Sequence, residues 1–250
     1  MEGPTQLASR WGFARVTANR KVSSPTRLRK LHRLLEKAYG LPHWWPAETP
    51  FEVVLGAYLT QNTSWTAAAR SIANLRAANA LTPEGIRDLS IEELQALIRP
   101  SGFATRKAPA IKAFVSMLDG KYGGSLDTFS AVPTEALRNR LLALPGVGPE
   151  TADAILLYAL KHPVPVVDEY LRRVVVRHAL AAPARGRNGY EQLADLMRSA
   201  LAPGNPTAQL RLLNEAHALV VAVGKAHCRK IARCEGCPLK PDLPPQFPAR

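Results

Sequence analysis

Leu144-Pro145-Gly146-Val147-Gly148-Pro149-Glu150-Thr151-Ala152 is the stretch on which the reading of this chain turns. Helical spacing leads into it through Leu137, Leu141 and Leu142 and resumes after it through Ala152, Ile155, Leu156 and Ala159. Gly146 and Gly148 permit backbone geometries closed to residues with a β-carbon, and Pro149 suits the first turn of the next helix. The expected product is a helix, a tight turn and a second helix whose first N–H groups face an anion such as phosphate. A plain glycine turn between two antiparallel helices has the same pattern, so the turn alone does not decide. Eighteen residues after Glu150 comes Asp168, at the end of the apolar strip Val164-Pro165-Val166-Val167. An aspartate directly before a helical run reads as an N-cap. A capping carboxylate is also rigid and oriented, so one residue can hold a structural and a chemical role.

The rest of the chain agrees with a helical protein that meets a polyanion. Lysine and arginine total 33 against 20 acids, a net charge of +13 over 250 residues, which favours nucleic acid or an anionic surface. At 46% hydrophobic residues the chain can bury a sizeable core. No run approaches the ~18 apolar residues of a membrane span, and the N-terminus lacks the apolar core of a signal peptide. An intracellular protein, cytoplasmic and associated with the nucleoid, is expected. Helical patterns begin at Pro25 and recur over 51–59, 67–75, 91–98, 108–118, 133–142, 152–159, 169–178, 190–201 and 210–223. Ser90 reads as an N-cap. Only 164–167 is strand-like, so the class is all-α. Residues 1–26 read as a flexible basic arm and the five-proline tail 238–250 as extended coil.

The 144–152 segment with Asp168 resembles the helix-hairpin-helix DNA glycosylases of the endonuclease III superfamily, from about residue 28 to 243. The resemblance implies two helical domains with an active-site cleft between them. One is a six-helix barrel containing the helix-hairpin-helix, over 47–162. The other is built from both chain ends, 27–46 and 163–250. It implies Asp168 as the catalytic aspartate and damaged double-stranded DNA as the partner of a monomer. Gly146, Val147, Gly148 and Glu150 would lie on the DNA backbone. Gln61 would enter the duplex where the base was, and Phe103 would be an apolar wedge. Arg106 and Lys107 would hold phosphates or be simply solvated.

Lyase-competent relatives carry a lysine where this chain has Glu150. A carboxylate cannot form a Schiff base with a sugar, so the chemistry implied is hydrolysis alone. Three of the four tryptophans are Trp44, Trp45 and Trp65. Flat apolar groups hold an extruded base and their faces attract cations, although core packing is their commoner use. Trp44-Trp45-Pro46, the 51–57 stretch, Leu59-Thr60-Gln61-Asn62-Thr63 and Arg99-Pro100-Ser101-Gly102-Phe103 together resemble the type III 3-methyladenine DNA glycosylases. That branch implies a base pocket of Trp44, Trp45, Pro46 and Trp65, glutamate at the lysine position, and alkylated purines as substrate. Two other functions stay open: a bifunctional glycosylase and lyase on oxidised pyrimidines, and a non-catalytic DNA-binding module.

All three cysteines, Cys228, Cys234 and Cys237, fall within ten residues. The spacing Cys-x5-Cys-x2-Cys is similar to the superfamily's [4Fe–4S] loop. Its first gap is one residue short, and Leu243 stands in the place of the fourth cysteine. A cluster completed by solvent or another group, with Asp242 and His227 nearby, a zinc site of three cysteines plus histidine, and a decayed site with free thiols all fit that spacing.

Overall fold

A computed structural model describes residues 23–41, 47–183, 186–201 and 204–245. Among them every regular element is helical and no strand occurs. Helix α1 (Ser24–Tyr39) buries Leu28, Leu31 and Leu35 on one face, and Gly40 ends it at φ +70°. Ser24 to Thr26, expected in the basic arm, are thus helical. Residues 1–22 of that expected arm lie outside the described residues, as do Trp44, Trp45 and Pro46.

Helix α2 (Pro50–Leu59) is buried from Phe51 to Leu59. A helix apolar on every side belongs inside a bundle, and α3 (Trp65–Ala77) and α6 (Ala104–Tyr122) pack around it. The short α4 (Pro83–Asp88) has no long period and escaped the sequence reading. α5 (Ile91–Ile98) starts at Ser90, whose side chain accepts from Glu93 N while Glu93 returns the bond in a capping box. α7 (Leu126–Ser130), also too short to show a period, supplies Phe129. Phe129 closes an aromatic cluster with Phe114, Phe51, Tyr58 and Tyr122.

The hairpin joins α8 (Thr134–Leu142) to α9 (Pro149–Ala154), which continues as a π-helical turn over Ile155–Ala159. The strip 164–167 carries no strand; Val166 and Val167 are buried as extended chain. It leads into α10 (Glu169–Arg177), and α11 (Gly186–Ala200) and α12 (Pro206–Ala226) follow. α1 packs on α11 and α12, and α10 packs on α12. α12 also touches the π-turn, which brings the late helices to the hairpin.

The described part of the proline tail is folded rather than extended. It forms a 3-10 turn, Lys240–Asp242, and Asp242 is held by Arg27 Nη2 at 2.7 Å and faces His178 Nδ1 at 3.4 Å. The Arg27 guanidinium and the His178 ring hold the tail on α1 and at the end of α10.

Candidate active site

Gly146 adopts φ +73°, a left-handed conformation that side chains disfavour and glycine accepts. Val147 donates its N–H to Leu144 O at 3.3 Å and buries its side chain, so it anchors the turn from inside. Gly148 caps α9 and has no side chain to occupy the helix's first N–H groups. Those groups have no intrahelical acceptor and suit an anion.

Two turns are tied to this hairpin. Gln61 donates from Nε2 to Gly146 O at 3.0 Å and to Thr151 Oγ1 at 2.9 Å. The structure therefore brings Gln61 against the hairpin, a meeting the spacing did not reveal. Phe103 caps α6 at φ +51° and is 56% exposed. Left-handed backbone costs a residue with a side chain roughly 1–2 kcal/mol, and here it lifts an apolar ring into solvent. Lys107 is not the surface cation expected for phosphate. It is buried, and its Nζ donates to Leu59 O at 2.8 Å and Ser101 O at 2.9 Å. One ammonium thus joins the Gln61 turn to the Phe103 turn. Burial pulls that ammonium down to about 8.

Asp168 is the N-cap of α10, as its position before a helical run implied. Its Oδ1 accepts from Leu171 N at 2.7 Å, and the residue is buried. Its Oδ2 faces Nε2 of His217 at 3.6 Å, and His217 Nδ1 lies 2.6 Å from Tyr158 Oη. The residue before it is fixed too, because Val167 N donates to Tyr190 Oη at 3.2 Å. Tyr190 lies between the guanidinium groups of Arg138 and Arg172, 6.0 and 5.9 Å from its ring centroid. Tyr158, Tyr190 and His217 went unnoticed in the sequence, where each reads as an ordinary residue on an apolar helix face.

Glu150 stands in the first turn of α9. Its carboxyl is pushed up to about 7, first by crowding from protein atoms and then by the charge of Asp168; Arg172, and His217 when protonated, pull the other way. The residue still reaches solvent, so water weakens the first of these effects. Of the expected base pocket only Trp65 is described: it is half-buried and opens α3. Buried Glu52 accepts from Arg76 Nη2 at 2.8 Å and from Glu48 N at 3.1 Å, which ties down the chain leaving the tryptophan pair.

The site therefore combines a helix start suited to phosphate, an apolar tip, a glutamine on the hairpin and one rigid buried carboxylate. A family model for HhH-GPD superfamily base excision DNA repair proteins matches residues 55–201. The chain belongs to that superfamily.

As an HhH-GPD protein it is a DNA-binding member of the DNA glycosylases of base excision repair, with the all-helical endonuclease III fold. A Methanocaldococcus jannaschii protein with the provisional name of DNA repair glycosylase is 38% identical over 84% of this chain and 93% of its own. The structure of the H. pylori 3-methyladenine DNA glycosylase bound to 1,N6-ethenoadenine is 30% identical, with a TM-score of 0.67 over 82% of this chain and 98% of that one. A non-covalent endonuclease III–DNA complex matches the fold with a TM-score of 0.72 over 88% of this chain and 94% of that one, at 23% identity. No helix among the described residues is long and apolar enough to cross a membrane.

The cysteine loop of this HhH-GPD protein does not fit a metal as it stands. Among the described residues no group of three or more histidine, cysteine or acidic side chains is placed to hold an ion. Arg177 Nη1 donates to the Cys228 sulfur at 3.0 Å, and Arg173 Nε donates to Cys228 O at 2.8 Å. Of the two side chains considered as a further ligand, Asp242 is held by Arg27 Nη2, and His227 Nδ1 lies 3.1 Å from Arg233 O. Of the three thiols, Cys228 thus has a cationic partner in Arg177.

Proposed function

We propose that this chain is a monofunctional DNA glycosylase that hydrolyses the N-glycosidic bond of alkylated purines such as 3-methyladenine after flipping the base. The observation that carries the reading is Glu150 at the head of the hairpin helix, within electrostatic reach of Asp168. A carboxyl there supplies no amine for a covalent sugar adduct. The bond from C1′ to the base nitrogen breaks, with the electron pair leaving on the base. Ionised Asp168 shields the positive charge on the sugar and orients water, whose oxygen bonds to C1′ as its proton departs. Trp44, Trp45, Pro46 and Trp65 would hold the base, Gln61 and Phe103 would fill the duplex, and Gly146, Gly148 and Glu150 would face the backbone, with Val147 holding their turn from inside. The likeness to a purine-binding 3-methyladenine DNA glycosylase supports the substrate class. A division into a barrel over 47–162 and a domain of both ends accompanies this reading, supported by the packing of α1 and α10 on α12. The enzyme would act as a monomer wherever the cell keeps its DNA.

Asp168→Asn tests the chemistry cleanly, because asparagine caps a helix about as well as aspartate. The variant should fold and bind duplex DNA while base release falls by at least ~10²-fold, within the range lost when a catalytic group is removed. Abasic sites from methylated DNA should break only after alkali. Direct nicking, or a borohydride-trapped adduct, would show a lyase instead.

A further inference from the structure

We propose that His217, oriented by Tyr158, is a positioning residue that holds the second oxygen of Asp168; this rests on the catalytic reading of Asp168 above. Capping uses one carboxylate oxygen, since Oδ1 accepts from Leu171 N at 2.7 Å. A cap bonded through one oxygen sets the plane of the carboxylate and leaves the other oxygen open to a second partner. Here that oxygen faces His217 Nε2 at 3.6 Å, with both side chains buried. The separation exceeds a hydrogen bond. Such contacts shorten commonly when a substrate closes a site.

The tautomer follows from charge. A bare ring nitrogen facing a carboxylate oxygen would repel it, so Nε2 carries the proton. In a ring with that single proton, Nδ1 is an acceptor. The hydroxyl of Tyr158 then donates to it across 2.6 Å, in preference to Asn214 O at 3.5 Å. Tyr158 is buried, and it lies on the π-turn that continues the hairpin helix. The chain of contacts therefore runs from hairpin helix to tyrosine, histidine and aspartate. Gripping the phosphate and aiming the carboxylate become parts of one rigid unit. A misplacement of about 1 Å in a catalytic group costs on the order of 100-fold in rate.

The decisive experiment uses the full chain and a duplex oligonucleotide containing 1,N6-ethenoadenine, alongside methylated duplex DNA. Single-turnover base release and duplex affinity are measured for His217→Ala, His217→Gln, Tyr158→Phe and Asp168→Asn. Nitrogen chemical shifts of the His217 ring report its tautomer in the unbound protein. We expect His217→Ala to lose about 10- to 100-fold in rate with affinity unchanged. Glutamine should restore most of that loss, and Tyr158→Phe should lose less than alanine. The ring should show the Nε2–H tautomer and leave it in Tyr158→Phe. An Nδ1–H tautomer in the wild type overturns the proposal without any assay of activity. So does a wild-type rate in His217→Ala while Asp168→Asn is inactive. Should His217→Ala fail to fold, the glutamine and phenylalanine variants carry the test, and wild-type rates in both overturn it. Turnover by Asp168→Asn would instead bring down the catalytic reading itself.

Discussion

Gly224 of α12 lies flat against the ring of Tyr170 on α10: a β-carbon there would fall 2.2 Å from Tyr170 Cδ1. That close approach sets the distance between the two helices that carry Asp168 and His217. Gly224→Ala forces the ring or the helix to move, at a cost of typically 1–3 kcal/mol. Thermal unfolding should show the loss, and base release should slow as Asp168 shifts from His217. Gly120→Ala is the control. Its β-carbon meets nothing within 4 Å inside α6, so alanine should stabilise by roughly 0.5–1 kcal/mol. An unchanged midpoint in Gly224→Ala would show that α10 and α12 are not held by this contact.

Arg138 grips the buried carboxylate of Asp153 from Nε at 2.7 Å and Nη2 at 3.0 Å, and reaches Glu191 on α11 at 2.8 Å. Burial pushes the Asp153 carboxyl up and the guanidinium pulls it back only in part; Arg138 itself is held charged. Arg138→Met strands that carboxylate and should cost about 3–5 kcal/mol. Arg138→Met with Asp153→Leu removes both charges and should recover most of the loss. Denaturant midpoints of the two variants decide it; equal loss in both would contradict the pairing argument.

Lys107 is a buried cation with a depressed pKa, and the sign of its linkage is opposite to that of a surface lysine. Its folded value of about 8 lies below the ordinary 10.5. From pH 8 to 10.5 the unfolded chain still holds the proton that the folded chain has released, so this group raises stability with pH by up to ~3 kcal/mol. Lys107→Met should abolish that rise. Near neutral pH it also leaves two buried carbonyls unsatisfied, worth about 1–3 kcal/mol each. Urea titrations across the pH range would show both effects, and a rise that survives in Lys107→Met would refute the assignment.

Glu150 should couple DNA binding to pH. Its carboxyl is raised toward 7, and on ionising it places a second negative charge beside Asp168, where phosphate approaches. Duplex affinity should therefore weaken as pH rises through 7, by several-fold at low salt. Glu150→Gln keeps the neutral form throughout and should flatten that transition in fluorescence anisotropy. A transition of the same size in the variant would assign it to another group.

Local order in this protein is written into its sequence. The long helices follow from apolar spacing, the ends of α1 and α5 from Gly40 and the Ser90–Glu93 box, and the hairpin from Gly146, Gly148 and Pro149. Asp168 was legible because an N-cap is a matter of four adjacent residues. Short-range geometry repeats wherever its pattern occurs, so one strand of text suffices to read it. Long-range contact leaves no such mark. Nothing near His217 or Tyr158 in sequence says that they meet Asp168, and nothing near Lys107 separates a phosphate ligand from a buried brace. Only packing of α12 on α10 and on the hairpin helix brings those groups together. Burial then decides what their charges do.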